Sequence, residues 1–324
     1  MKKVYVLTTG GTIAMSEDEA TGTVRPVDGQ ALARFLPGVA KYADVVMEEV
    51  FNLPSPHLTF FHLQQLLNRV QERLAEPEVA GVVVTHGTDT LEETAFYLDL
   101  QLPPGKPVVV TGAMRSSNEI GADGPLNLLN SVRTAASEVA VGKGVLVVLN
   151  DEIHGARFVT KTHTSNVATF QSPEVGPIGS LDKRSIHFRQ MPLQHESYPA
   201  KPLQRSVGLL KMALAIDSRL IDHMLADGID GLVIEALGQG NVPPAVVPGI
   251  RRAIEKGVPV VLVSRCFNGR VQDVYGYEGG GKHLRELGAI FSNGLNGQKA
   301  RIKLMVLLAN DLDMESIRSA FERI

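Results

Sequence analysis

With a single cysteine, Cys266, the 324-residue chain has no route to an intrachain disulfide and lacks the thiolates of a zinc site. A small core position is the expected fate of that thiol. The nine histidines include no His-x-x-x-His pair on a helical pattern, so no metal site is expected. An excess of charge of one sign is also lacking. A formal net charge of -3 and the absence of a basic run give no field for a phosphate backbone, which argues against a nucleic-acid partner. Apolar runs such as Val145 to Leu149 fall far short of the roughly 20 residues of a membrane-spanning helix, and no membrane association is expected. Lys2-Lys3 followed by Val4-Tyr5-Val6-Leu7 is too short for a signal peptide and reads as a first strand, so a cytoplasmic protein is expected. Gly10-Gly11-Thr12 lacks the Gly-x-Gly-x-x-Gly spacing of a dinucleotide site, and no Gly-Lys-Ser/Thr of a P-loop is present.

What the chain does have is a globular composition, 44% apolar and 21% charged, at a length that suggests two unequal domains. Short β-branched runs alternate with helical patterns, the signature of βα units and a parallel sheet covered on both faces. The predicted strands of the first half are Lys3 to Thr8, Asp44 to Phe51, Gly81 to Thr85, Pro107 to Thr111 and Gly144 to Leu149. Leu58 to Leu74, Leu91 to Leu100 and Leu126 to Val139 carry apolar spacing near 3.6 and read as crossover helices. A polar stretch with Pro192, Pro199 and Pro202 interrupts the pattern. The expected organisation is an N-terminal catalytic α/β domain over 1–185, a linker over 186–205, and a smaller C-terminal α/β domain over 206–324 with its own parallel sheet. Strands at Val207 to Ala215, Ile229 to Glu235 and Val258 to Ser264 and a last helix at Met314 to Phe321 belong to that second domain.

In open parallel sheets, ligands sit outside the carboxyl ends of the strands. Four such ends carry polar segments, three of them with glycine: Thr8-Thr9-Gly10-Gly11-Thr12-Ile13-Ala14, Asn52-Leu53-Pro54-Ser55, Thr85-His86-Gly87-Thr88-Asp89-Thr90 and Thr111-Gly112-Ala113-Met114-Arg115. Val159-Thr160-Lys161-Thr162 follows beyond the fifth strand. Taken singly each has a plainer explanation. Gly10-Gly11 suits a turn, Thr90-Leu91-Glu92-Glu93 suits a helix-capping box, and lysines are usually solvated. Jointly they supply a system. A threonine hydroxyl is a poor nucleophile without a group to share its proton, and Thr88, Asp89 and Lys161 are of the types that form a base. Backbone amides at Gly11 and in the loop after the fourth strand are candidates for an oxyanion site, with no cofactor required.

The first and third of these segments resemble the two signature motifs of the bacterial-type L-asparaginases. The resemblance extends through Thr111-Gly112-Ala113-Met114-Arg115, Ala122-Asp123-Gly124-Pro125-Leu126-Asn127, Thr160-Lys161-Thr162 and Gly294 to Arg301, and it points to the homotetrameric branch. It implies hydrolysis of L-asparagine to L-aspartate and ammonia in asparagine catabolism, with Thr12 as nucleophile and Thr88, Asp89 and Lys161 as the second catalytic group. It further implies that Gly11 and Ser55 bind substrate, Ser55 the α-carboxylate, that Asp89 and Thr88 also contact it, and that Asn241 reaches the site from a neighbouring subunit.

Three departures from the family pattern stand out. No tyrosine lies between Ala14 and Lys41, where the family's mobile loop usually carries one, and Thr23 is the nearest hydroxyl in a lid-like loop from Met15 to Pro26 containing Gly22. Pro56 replaces a common glutamine, and Tyr275 replaces a common glutamate contributed by the neighbouring chain. Tyr275 is therefore expected to enter the neighbouring site. A dual glutaminase-asparaginase and a non-catalytic amino-acid sensor of the same fold are the alternative readings.

Overall fold

In the computed structural model, residues 1–18, 21, 23–26, 36–191 and 195–323 are described. The chain divides into two compact units, Met1–Ser197 and Tyr198–Ile324. The first contains strands β1 (Lys3–Thr8), β2 (Met15–Glu17) and β3 (Val24–Pro26), a short α1 (Leu36–Val39), β4 (Asp44–Glu49), α2 (Phe60–Ala75), β5 (Val79–Thr85), α3 (Leu91–Asp99), β6 (Val108–Thr111), α4 (Gly124–Ala135), β7 (Val145–Leu149), β8 (Glu152–Gly155), β9 (Thr160–Lys161), β10 (Phe170–Gln171), β11 (Gly179–Leu181) and β12 (Ile186–Phe188). Its eight-stranded sheet runs β12-β11-β8-β7-β6-β5-β1-β4. From β4 to β7 all pairs are parallel, and from β7 outward they are antiparallel.

The parallel half follows from composition. Val4, Val6, Val83, Val109, Leu146 and Val148 pack with Leu128, Val132 and Ala135 of α4, while α2 and α3 contact the strands β5, β6 and β7. Both faces are thus covered, which is why these strands read as continuous apolar runs. The switch to antiparallel pairing has a local cause. Asn150 and Asp151 adopt φ of 50° and 61°, the left-handed pair that a two-residue hairpin of matching twist requires. That turn folds β8 back on β7 and lets β11 and β12 add to the edge.

Two expectations are corrected here. The linker predicted to start at 186 overlaps β12, which pairs with β11, and the units divide at Ser197/Tyr198. His195 bonds to Asp99 at 3.2 Å and Arg157 donates to Glu196 at 3.0 Å, so these residues remain fastened to the first unit. The predicted linker's Pro192 lies outside the described residues. Cys266, expected in the core, is exposed in the loop following the third strand of the second unit.

The second unit comprises β13 (Val207–Lys211), α5 (Arg219–Asp227), β14 (Gly231–Ala236), α6 (Val247–Glu255), β15 (Val260–Ser264), α7 (Gly281–Leu287), β16 (Ile290–Phe291), α8 (Gly297–Ala309) and α9 (Met314–Glu322). Its sheet is wholly parallel in the order β13-β14-β15-β16. Leu232, Ile234, Val260 and Leu262 form its core with Ile221, Ile250 and Leu284. The fold is therefore α/β twice over, with a mainly parallel larger sheet and a parallel smaller one.

Candidate active site

β1 ends in a segment whose backbone is locked onto the end of β5. Thr9 donates to the Thr85 carbonyl through its amide (3.2 Å) and its hydroxyl (2.8 Å), and its own carbonyl accepts from Leu53 N at 3.1 Å. Gly11 follows with φ 85° and ψ 173°, a conformation essentially reserved for glycine. A Cβ there would lie 2.4 Å from Gly87 Cα, so β1 and β5 approach through two glycines. The residues immediately after them are Thr12, which opens a single helical turn over Thr12–Ala14, and Thr88. A Cβ on Gly87 would in turn lie 2.8 Å from Ser55 Oγ, and one on Gly112 would lie 2.6 Å from the His86 carbonyl. Four strand ends are thereby interlocked where side chains are missing, which places Thr12, Ser55 and Thr88 in one neighbourhood.

His86 stiffens this arrangement. It is fully buried, its Nδ1 sits 2.7 Å from the Gly87 carbonyl and its Nε2 2.9 Å from Thr94 Oγ1. A carbonyl only accepts, so Nδ1 carries the proton and Nε2 accepts from the threonine. Burial pushes its pKa down to about 4, partly offset by the bond to Gly87, and the ring is a neutral brace.

Lys161, on β9, closes the constellation from another direction. Its Nζ donates to Thr88 Oγ1 at 2.9 Å and to Asp89 Oδ1 at 2.7 Å. The lysine side chain is 16% exposed and the aspartate 63%, so the ion pair contributes little to stability and its value is geometric. Asp89 and Lys161 line a cleft of about 310 Å³ with Thr162, His163 and Thr164. Thr88 is buried behind them.

Several expectations change in detail. Thr90 does not cap α3 with its side chain. Its hydroxyl donates instead to the Ser55 carbonyl at 3.2 Å, tying the Ser55 turn to the helix start. The loop after β6 is not open for an oxyanion at Met114 or Arg115, because both amides donate to the Asp123 carboxylate at 3.0 Å. Asn127 extends that network by donating to Gly112 O and Asp123 Oδ2. The lid-like loop contains a hairpin, β2 paired with β3, and Thr23 Oγ1 lies 2.7 Å from Thr21 Oγ1 within it; Gly22 lies outside the described residues. Sequence reasoning gave no place in the site to His86, nor to Glu92 beyond a helix-capping box, yet Glu92 Oε1 accepts from Thr160 Oγ1 and from the Lys161 amide. A buried brace and a buried cross-link are created only by packing.

Asn241 and Tyr275 sit on the second unit. Asn241 exchanges both backbone hydrogen bonds with Leu237, at 2.8 and 2.9 Å, and its Oδ1 accepts from Gly281 N. Tyr275 is 41% exposed and packs on Tyr277 with ring centroids 5.5 Å apart. Leu214, Phe267 and Tyr277 of the same unit are also exposed. Among the described residues no cluster of three His, Cys, Asp or Glu is placed to hold a metal ion, and no helix is long and apolar enough to cross a membrane.

Comparison with known proteins matches residues 3–194 to the family described as asparaginase, N-terminal, and residues 206–321 to the glutaminase/asparaginase C-terminal domain. A probable L-asparaginase of Deinococcus radiodurans is 42% identical, with 99% of this chain and 97% of the relative covered. L-asparaginase 2 of Escherichia coli is 35% identical over 100% and 93% of the two chains. A glutamyl-tRNA(Gln) amidotransferase component of Pyrococcus abyssi is 34% identical over 98% of this chain and 74% of its own.

Proposed function

The chain belongs to the asparaginase family and is an amidohydrolase, and from that premise we propose that it hydrolyses L-asparagine to L-aspartate and ammonia with Thr12 as nucleophile. The observation that carries this reading is the pair of bonds from Lys161 to Thr88 and Asp89, set directly beside the Gly11–Gly87 contact that precedes Thr12. Thr12 Oγ1 attacks the side-chain amide carbon, its proton passes to the leaving nitrogen, and the C–N bond of the tetrahedral adduct breaks to release ammonia and leave a β-aspartyl ester on Thr12. Water then cleaves the ester. A hydrogen bond from Lys161 favours negative charge on Thr88 Oγ1, so Thr88 relays the proton leaving the attacking water. Asp89 holds the lysine and receives the substrate α-ammonium, Ser55 the α-carboxylate, and the Gly11 amide the oxyanion, a contribution of order 10²–10³ in rate.

The active assembly in this reading is a homotetramer built as a dimer of dimers, in which Asn241 and Tyr275 complete a neighbour's site. Support comes from the exposed Leu214, Phe267 and Tyr277 on the unit that carries them, apolar surface that a second copy would cover. The cytoplasmic location expected from the sequence belongs to the same proposal and is checked by cell fractionation. Glutamine differs by one methylene, which a pocket discriminates by only about 1–3 kcal/mol. Pro56 and Tyr275, in place of two ammonium-binding side chains, favour asparagine, and parallel kinetics on both amides measure the preference.

Ammonia release from asparagine by the wild type and Thr12→Ala tests the central claim. The variant should lose activity by at least about 10³-fold, as removal of a covalent nucleophile does. Retained turnover would remove Thr12 from its assigned role.

A further inference from the structure

β9 is only two residues long and, among the described residues, pairs with β10 alone, outside the eight-stranded sheet. No ladder of the main sheet therefore fixes the height of Lys161 above Thr88. Position matters there, because a displacement of about 1 Å can cost on the order of 10²-fold in rate. A buried carboxylate performs this service. Glu92, in the first turn of α3, is 4% exposed, and its Oε1 accepts from Thr160 Oγ1 at 2.9 Å and from the Lys161 amide at 3.2 Å. The same turn begins shortly after Asp89, whose carboxylate receives the lysine side chain. Lys161 is thus gripped twice from one helix start, at its backbone by Glu92 and at its Nζ by Asp89.

We infer that Glu92 is the positioning residue of the Thr88–Asp89–Lys161 group, a buried clamp that sets β9 at the distance from which the lysine reaches Thr88. Burying a carboxylate is costly, and an apolar side chain of similar size would hold helix and strand together at lower cost. An acceptor that can take two donors at once is what fixes both residues of β9. Glu92 does not touch substrate. Its effect passes through Lys161, so removing it lowers turnover with little change in binding.

The inference rests on Lys161 being catalytic, and the experiment separates the two claims. Lys161→Met should lose about 10²–10⁴-fold in kcat, the worth of a positioned acid–base group. If it keeps wild-type kcat, the catalytic reading of Lys161 fails first. With that established, Glu92→Ala should lower kcat by about 10–100-fold while KM changes by no more than about threefold. Glu92→Gln, which keeps a carbonyl acceptor in place, should restore most of that loss. Thr160→Val, which removes one of the two donors, should cost several-fold. Wild-type kcat in a folded Glu92→Ala enzyme overturns the inference. So does a Glu92→Gln enzyme as slow as Glu92→Ala, since charge rather than grip would then matter. If Glu92→Ala fails to fold, Thr160→Val decides, and unchanged kcat there overturns the inference equally.

Discussion

The carboxyl ends of the strands in the two sheets are built differently. In the first unit they fold into one another. Gly11 meets Gly87, Gly87 meets Ser55, Gly112 meets the His86 carbonyl, and Thr9, His86 and Thr88 between them are buried and bonded. In the second unit the loops following β13 and β15 hold Leu214 at 95% exposure and Phe267 at 68%, and a Cβ on Gly238, after β14, would meet nothing within 4 Å. One architecture therefore yields a preorganised polar site in one unit and an uncovered apolar surface in the other. Preorganisation is internal to a fold, whereas exposed apolar surface is a demand for a partner.

The sharpest way to break this contrast is Gly11→Ala. The added methyl must displace the Gly87 backbone, and the required φ and ψ cost of order 1–3 kcal/mol in strain. Turnover should fall by at least about 10²-fold. Gly238→Ala, with φ 51° but open space, should lose far less, and kcat measured on both variants makes the comparison. Equal losses would mean that the interlocking of the first unit has no special role.

A second test concerns the buried brace. His86 is held at about 4 in the fold against an ordinary value near 6.5, so the unfolded chain binds the extra proton between those limits. The stability is present above pH 6.5 and is lost as pH falls toward 4, by on the order of 3 kcal/mol. Urea unfolding at pH 7 and pH 4 should show that loss in the wild type and not in His86→Gln. An identical pH slope in the two proteins would show that the imidazole is not held neutral.

For the second unit the expected effects are smaller. Leu214→Lys combined with Phe267→Lys should shift sedimentation toward smaller species and lower activity by about tenfold, the worth of about 1.4 kcal/mol of interface. A variant that stays assembled would show that this surface is not covered by a second copy. Tyr275→Phe removes one hydroxyl and should change kcat or KM by about threefold, in the range of a single hydrogen bond. If both constants are unchanged, Tyr275 takes no part in a neighbour's site.

Much of the fold is legible in the sequence, for reasons that differ by element. β1 matches its predicted limits, and α3 comes within one residue, because apolar runs and 3.6 spacing are local consequences of being buried on two faces or one. β11 and β12 escape such a reading, since three-residue strands carry no period, and their place depends on the Asn150–Asp151 turn. Thr12, Thr88, Asp89 and Lys161 are found as residue types near strand ends. Their partners are not. Thr90 reads as a cap and bonds Ser55, and Glu92 reads as part of a capping box and bonds β9.

By itself, the sequence determined which residues could do chemistry and that they lie beyond parallel strands, because composition and period are properties of neighbours along the chain. Tertiary structure alone decided which of them meet. Lys161 reaches Thr88 across 73 positions of chain, and Glu92 reaches Thr160 across 68. Hydrogen bonds of a few ångströms between such distant positions are set by how strands stack and where glycines let backbones touch, and no local pattern records that.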